Sequence, residues 1–196
     1  MKLKEGRVIK TVQNKEETIV FRYPRWQDVP AYVEMCNILH DERLMAYHAE
    51  TDLAKGCERM SSILVALETC KQAHLLMETK GKIIGEGNMT AGVAPIRADG
   101  QPLFPFTGVL GIKVIGEYRR RGLGTEMMFL LEEEARKLGL RRIYLHVWAL
   151  NDAARYLYQK VGYREVGRVP DWYSVKDEDG SLIYSDRIEM IKDIKG

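Results

Sequence analysis

Apolar residues recur along this chain with two periods, and the switch between them marks out the elements. Alternating or continuous apolar runs predict strands at Thr18–Arg22, His74–Glu78, Lys82–Met89, Val109–Ile115 and Arg142–Trp148, with two more near 162–169 and 182–192. Lys80-Gly81 supplies the turn between the second and third of these. Helical spacing takes over from about Thr51 or Asp52 to Cys70, where Leu53, Cys57, Met60, Leu64 and Leu67 share a face. It returns with Leu123, Met127, Leu130, Leu131, Ala135 and Leu138, a helix that Gly139 closes. Asp28 is the expected cap of a helix with Pro30 in its first turn. Asn151 caps a short helix whose Ala154, Leu157, Tyr158 and Val161 form one stripe. Within 142–148, Ile143, Leu145 and Val147 face one way and Tyr144, His146 and Trp148 the other. Residues 90–105, with Pro95, Asp99-Gly100, Pro102 and Pro105, read as a hairpin tip or irregular loop. Imperfect alternation, with adjacent strands near both ends, predicts an α+β fold with a mixed sheet. Residues 1–17 are set apart as an N-terminal extension, and 18–192 as a single domain.

Composition narrows the class without naming a function. A chain of 196 residues, 45% hydrophobic and 30% charged, suits one soluble globular domain. A formal net charge of +2, with no basic-aromatic platform, argues against nucleic acid as a partner. Cys36, Cys57 and Cys70 are an odd set without CxxC spacing, which speaks against a disulfide framework. No run of signal-peptide or membrane-spanning character is found, so a reducing, cytoplasmic setting without membrane association is expected.

The chemistry concentrates in Arg119-Arg120-Arg121-Gly122-Leu123-Gly124-Thr125, between a predicted strand and a predicted helix. A glycine turn at a helix start presents unpaired N–H groups and the positive end of the helix dipole. It therefore predicts a phosphate-bearing cofactor. The nucleotide P-loop requires Gly-Lys-Ser/Thr, which is absent, and the dinucleotide fingerprint needs a third glycine where Met127 stands.

Arg-x-x-Gly-x-Gly in this setting resembles the acetyl-CoA pyrophosphate loop of the GNAT-type N-acetyltransferase superfamily. The resemblance runs from Val114 through Gly124, continues in Ile143-Tyr144-Leu145-His146-Val147, and extends through the Asn151–Tyr163 segment with its Asn-x-x-Ala-x-x-Leu-Tyr pattern. It implies a GNAT-like fold, with a mostly antiparallel sheet of about seven strands flanked by about four helices. It further implies acetyl-CoA as cosubstrate, no metal, and direct attack of a primary amine on the thioester in a ternary complex. Main-chain groups of Ile112, Lys113 and Val114 would flank the pantetheine arm. Arg119, Arg120, Arg121, Gly122, Leu123, Gly124 and Thr125 would surround the pyrophosphate, and Asn151 and Tyr158 would also contact the cofactor. Tyr158 is the expected acid toward the leaving thiolate, although its stripe also suits a core aromatic. His146 is the expected base, with Glu86 or an ordered water as alternatives. The Ile-Tyr-Leu-His-Val strand is similar to that of ribosomal-protein and other protein N-terminal acetyltransferases, which tilts the acceptor toward an N-terminal α-amine. Polyamines, amino acids, antibiotics and a catalytically idle acyl-CoA-binding module remain open, as does a homodimer. Some members place a tyrosine where this chain has Gly108, so a base arrangement using that tyrosine is not carried over.

Weaker constellations remain. Cys36, His40, His48 and Cys57 match no common zinc spacing. Trp172 and Tyr173 precede Asp177-Glu178-Asp179, which together could offer an aromatic wall and a negative rim to a cationic amine.

Overall fold

The computed structural model describes residues 5–42, 50–92, 106–176 and 181–194. Strands β1 (Val8–Asn14) and β2 (Glu17–Arg22) form a hairpin, followed by helices α1 (Val29–Asp41) and α2 (Leu53–Glu68). Strands β3 (Gln72–Thr79), β4 (Lys82–Ala91) and β5 (Thr107–Val114) precede helix α3 (Leu123–Lys137). Strand β6 (Arg142–Trp148), helix α4 (Asp152–Lys160), and strands β7 (Arg164–Lys176) and β8 (Leu182–Asp193) complete the order. The sheet runs β1-β2-β3-β4-β5-β6-β8-β7, antiparallel at every step except β5–β6.

The expected α+β fold and four helices are present, but the sheet has eight strands rather than about seven. The added strand is β1, in the stretch set apart as an extension. It is an edge strand with no fully buried residue, so polar side chains interrupt the alternation by which strands are recognised. Residues 43–49, 93–105 and 177–180 lie outside the described residues, and with them His48, most of the 90–105 segment and the acidic cluster.

Helices α1 and α2 cover one face of the sheet, and α3 the other. A β-carbon on Gly87 would lie 2.7 Å from Met127 Sδ and 2.8 Å from Leu131 Cδ1, so its absence lets α3 lie directly on β4. Met127, Leu131 and Ala135 are fully buried there. Asp52 caps α2 by accepting from Lys55 N–H at 2.8 Å, and Asn151 caps α4 through Ala154 N–H at 3.1 Å. Asp28 does not cap α1 as expected. Its carboxylate instead takes both Nη atoms of buried Arg22 at 2.7 Å and the Arg25 N–H at 2.9 Å. A buried guanidinium left without a counter-charge would cost far more than an uncapped helix start.

Candidate active site

The sheet opens at its one parallel step. Thr107, Gly108 and Val109 pair with Arg142, Ile143 and Tyr144, and beyond these β5 continues with β4 alone and β6 with β8 alone. Hydrogen bonds fix which groups face the opening. Ile115 N–H donates to Ile84 O at 3.0 Å and Gly92 N–H to Thr107 O at 3.4 Å, so odd-numbered β5 residues bond to β4. Alternation turns the main-chain groups of Leu110, Ile112 and Val114 into the cleft, and those of Lys113 away from it. On β6, Ala149 N–H donates to Asp186 O, so the main chain of His146 and Trp148 faces the cleft. Unpaired peptide groups inside a sheet call for water or a ligand.

At the base of the cleft, a short 3-10 turn (Gly116–Tyr118) leads into the glycine loop. Gly122 precedes α3 with φ +81, in the left-handed region that glycine enters without strain. Among the described residues, the successive N–H groups of Arg120 through Thr125 meet no acceptor, while Glu126 N–H resumes the helical pattern on Gly122 O at 3.1 Å. Such a run at a helix start fits a pyrophosphate. Arg119, the motif arginine, is engaged elsewhere: its Nε donates to Val114 O at 2.8 Å and its Nη2 to Glu42. Glu42 also accepts Gly116 N–H at 2.6 Å. Arg119 thus braces the loop against β5 and α1. Gly124 packs beneath Leu157 of α4, joining the loop to the helix that carries Tyr158.

Tyr158 is buried, its ring 6.0 Å from that of Tyr163, and burial pushes its phenol up to about 12. Among the described residues nothing hydrogen-bonds its hydroxyl. His146 lies on the α1/α2 face, exposed, between the rings of Tyr144 at 6.4 Å and Tyr173 at 6.5 Å. Desolvation by these neighbours, then the Arg187 guanidinium, hold its imidazole below the ordinary 6.5, with Glu189 opposing. Arg187 donates to Tyr144 Oη at 2.7 Å and lies 5.0 Å over the Trp172 ring. Trp148 and Tyr173 rings approach to 4.8 Å, completing an aromatic wall beside His146.

Glu86 points to the same face but is locked. It accepts from Lys113 Nζ at 2.9 Å and Tyr32 Oη at 2.9 Å, with His74 Nε2 at 3.0 Å. Burial raises its pKa, but Lys113 and His74 outweigh burial and hold the carboxyl far below 4.5. The main chain of Ile112 and Val114 thus faces that of His146 across the cleft, Arg120–Thr125 lie at its base, and Tyr158 sits on the helix packed against that loop. The fold directs Lys113 to Glu86 and uses the Asn151 side-chain oxygen in capping. Glu42 and Arg187 escaped sequence reading, because neither belongs to a local pattern. Among the described residues, no group of three or more metal-ligating side chains forms, and no helix is long and apolar enough to cross a membrane.

A sheet parted between two parallel strands over a helix start with unpaired N–H groups has the form of a cofactor cleft. Residues 32–163 match the Acetyltransferase (GNAT) family, and the chain belongs to that family. One stretch of 46 residues is 50% identical to the uncharacterized N-acetyltransferase YdgE of Bacillus subtilis, spanning 24% of this chain and 29% of that protein. A GNAT-family acetyltransferase structure from Streptococcus pneumoniae is 25% identical, with a TM-score of 0.73 over 90% of this chain and 99% of that one. The structure of yncA from Salmonella typhimurium, solved with its cofactor acetyl-CoA, is 17% identical, with a TM-score of 0.70 over 90% and 94% of the two chains.

Proposed function

We propose that the protein moves an acetyl group from acetyl-CoA to a primary amine by direct attack, and that the acceptor is a protein or peptide N-terminal α-amine. The observation that carries this reading is the β5–β6 cleft ending on the unpaired N–H run of Arg120–Thr125. Acetyl-CoA, when bound, supplies the activated thioester. The N–H run holds its pyrophosphate, and the cleft-facing groups of Ile112 and Val114 hold its amide-bearing arm. Tyr158, on the helix packed against the glycine loop, would meet the leaving sulfur. A phenol near 12 is a weaker acid than a thiol near 8.5, so full proton transfer is uphill by roughly 5 kcal/mol. Tyr158 therefore stabilises the thiolate as a hydrogen-bond donor.

His146 is neutral at pH 7 and takes the amine proton. An imidazole below 6.5 is poorly matched to a lysine of about 10.4, the gap being roughly 4 units or more. Against an α-amine of about 8 the gap is roughly 1.5 units or more, which favours that acceptor. Glu86, with its oxygens engaged and its carboxyl strongly acidic, is a poor base. A second reading, a small amine that also carries a carboxylate, is favoured by Arg187 in the wall beside His146.

The test is CoA release from acetyl-CoA across N-terminal peptides, polyamines, free amino acids and aminoglycosides, with Tyr158→Phe in parallel. Turnover on peptides, slowed roughly a hundredfold in Tyr158→Phe, is the expected result. Turnover on amino acids alone would favour the second reading. Cofactor binding without turnover on any acceptor would point to an idle module.

A further inference from the structure

One row of residues crosses the sheet at the level where it splits. On β4, Asn88 is flanked by His74 of β3 on one side and by Gly111 of β5 on the other. Counting on from the Val109–Tyr144 pair, Gly111 stands level with His146 of β6, and His146 pairs in turn with Glu189 of β8. Directly opposed residues of neighbouring strands share a face. Gly87 meets α3, so alternation puts Asn88 and the row it belongs to on the α1/α2 face, with His146.

Two members of this row differ from their neighbours. Gly111 lacks a side chain although its backbone is not left-handed. A β-carbon there would lie 3.2 Å from Asn88 Nδ2 and 3.4 Å from Asn88 Oδ1, so the Asn88 carboxamide lies over Gly111, on the strand that borders the cleft. Asn88 is half-buried, where β4 is fully buried from Ile83 through Gly87. A carboxamide can donate two hydrogen bonds and accept two, yet among the described residues this one makes none. His74, across from it, turns instead to Glu86 at 3.0 Å and to Gln72 at 3.4 Å. Glu86, two residues away on the same face, is fully engaged. The fold thus satisfies every polar neighbour and leaves one carboxamide open beside the cleft.

We propose that Asn88 holds the acceptor over Gly111, its Oδ1 accepting a hydrogen of the amine and its Nδ2 donating to the carbonyl next to that amine. The inference rests on the α-amine acceptor proposed above and names what in that acceptor is read. The α-amine of a peptide has a carbonyl one carbon away, whereas a lysine side chain or a polyamine has none. A carboxamide sets one acceptor beside one donor, which matches that pair. With Asn88 on one side of the split and His146 on the other, the amine is held between them and its lone pair is left for the thioester carbonyl.

The experiment measures acceptor affinity by calorimetry on the full chain saturated with CoA, which carries no acetyl group and so permits a complex without turnover. The two ligands are an alanine-initiated tetrapeptide and its analogue with a trans-alkene in place of the first peptide bond. The analogue keeps the amine and the shape but lacks the carbonyl. The wild type should bind the peptide about tenfold more tightly than the analogue. Asn88→Leu, of similar size, should bring the two within about twofold by weakening the peptide. Gly111→Ala, whose methyl crowds the carboxamide, should narrow the preference to about threefold. With acetyl-CoA, the loss in Asn88→Leu should appear in the peptide KM rather than in kcat. Equal binding of both ligands by the wild type would overturn the contact and leave the α-amine reading standing. So would a preference kept intact in both variants, or a loss shared equally by peptide and analogue. Failure of the CoA-saturated wild type to bind either ligand would overturn both readings.

Discussion

His146 shows how a residue nominated by a motif acquires its chemistry from neighbours. Sequence placed it on a strand face with two aromatics, but Arg187 and Tyr173 come from strands beyond the next helix. Their combined effect keeps the imidazole unprotonated to lower pH than usual. In the pH profile of kcat/KM with a peptide acceptor, the amine contributes one acidic limb near pH 8. His146 should add a second proton dependence below 6.5. His146→Gln should remove that second dependence and lower the plateau by roughly a hundredfold. A profile unchanged by the substitution would assign the base to water. Asp28 is the converse case. Its local pattern announced a helix cap, yet the buried charge of Arg22 claims the carboxylate.

At the scale of elements, one buried charge set ties β5 to the strands and helix on its other side. Glu86 of β4 gathers Lys113 of β5, His74 of β3 and Tyr32 of α1. Removing one charge from such a buried set leaves its partners uncompensated. Glu86→Gln should destabilise the fold by about 3 kcal/mol in urea unfolding. A change below about 0.5 kcal/mol would mean that the set is no more than a surface-like pairing. Element boundaries were largely legible, because α3, β6 and α4 have strong periodicity and recognisable ends at Gly139 and Asn151. Strand β1 was not, since an exposed edge strand lacks the alternation that burial selects.

For the whole molecule, ionisable groups set a pH window. Asp28 and Glu86 have folded-state values below their ordinary 3.8 and 4.5. The unfolded chain therefore takes up more protons than the folded one as pH falls, so the stability they contribute is complete above about 4.5 and is lost on acidification. Tyr23, Tyr158 and Tyr163 are raised above 10.0 by burial. Their contribution is complete below 10.0 and declines as pH rises beyond it. His146, held below 6.5, adds to the loss on the acid side, and buried Cys36, raised above 9.0, adds to the loss on the alkaline side. Thermal unfolding should give a flat Tm between about 6.5 and 9.0, with a fall on either side. A Tm that fell steadily from pH 9 to 7 would show that other groups dominate.

By itself the sequence determined the fold class, the glycine loop and most residues around the cleft, because each is written in a short window: a period, a turn, a motif. What only the tertiary structure decided depends on distant segments meeting. The parting of β5 from β6 requires β4 and β8 to hold them apart. The Arg119 side chain braces the loop because Glu42 and the Val114 carbonyl, distant in sequence or on another element, lie within its reach. The β1–β2 hairpin lies against the glycine loop and the start of α3 because Asn14 and Lys10 dock it there. Charges compete for partners by distance in space, and the order of residues along the chain does not specify that distance.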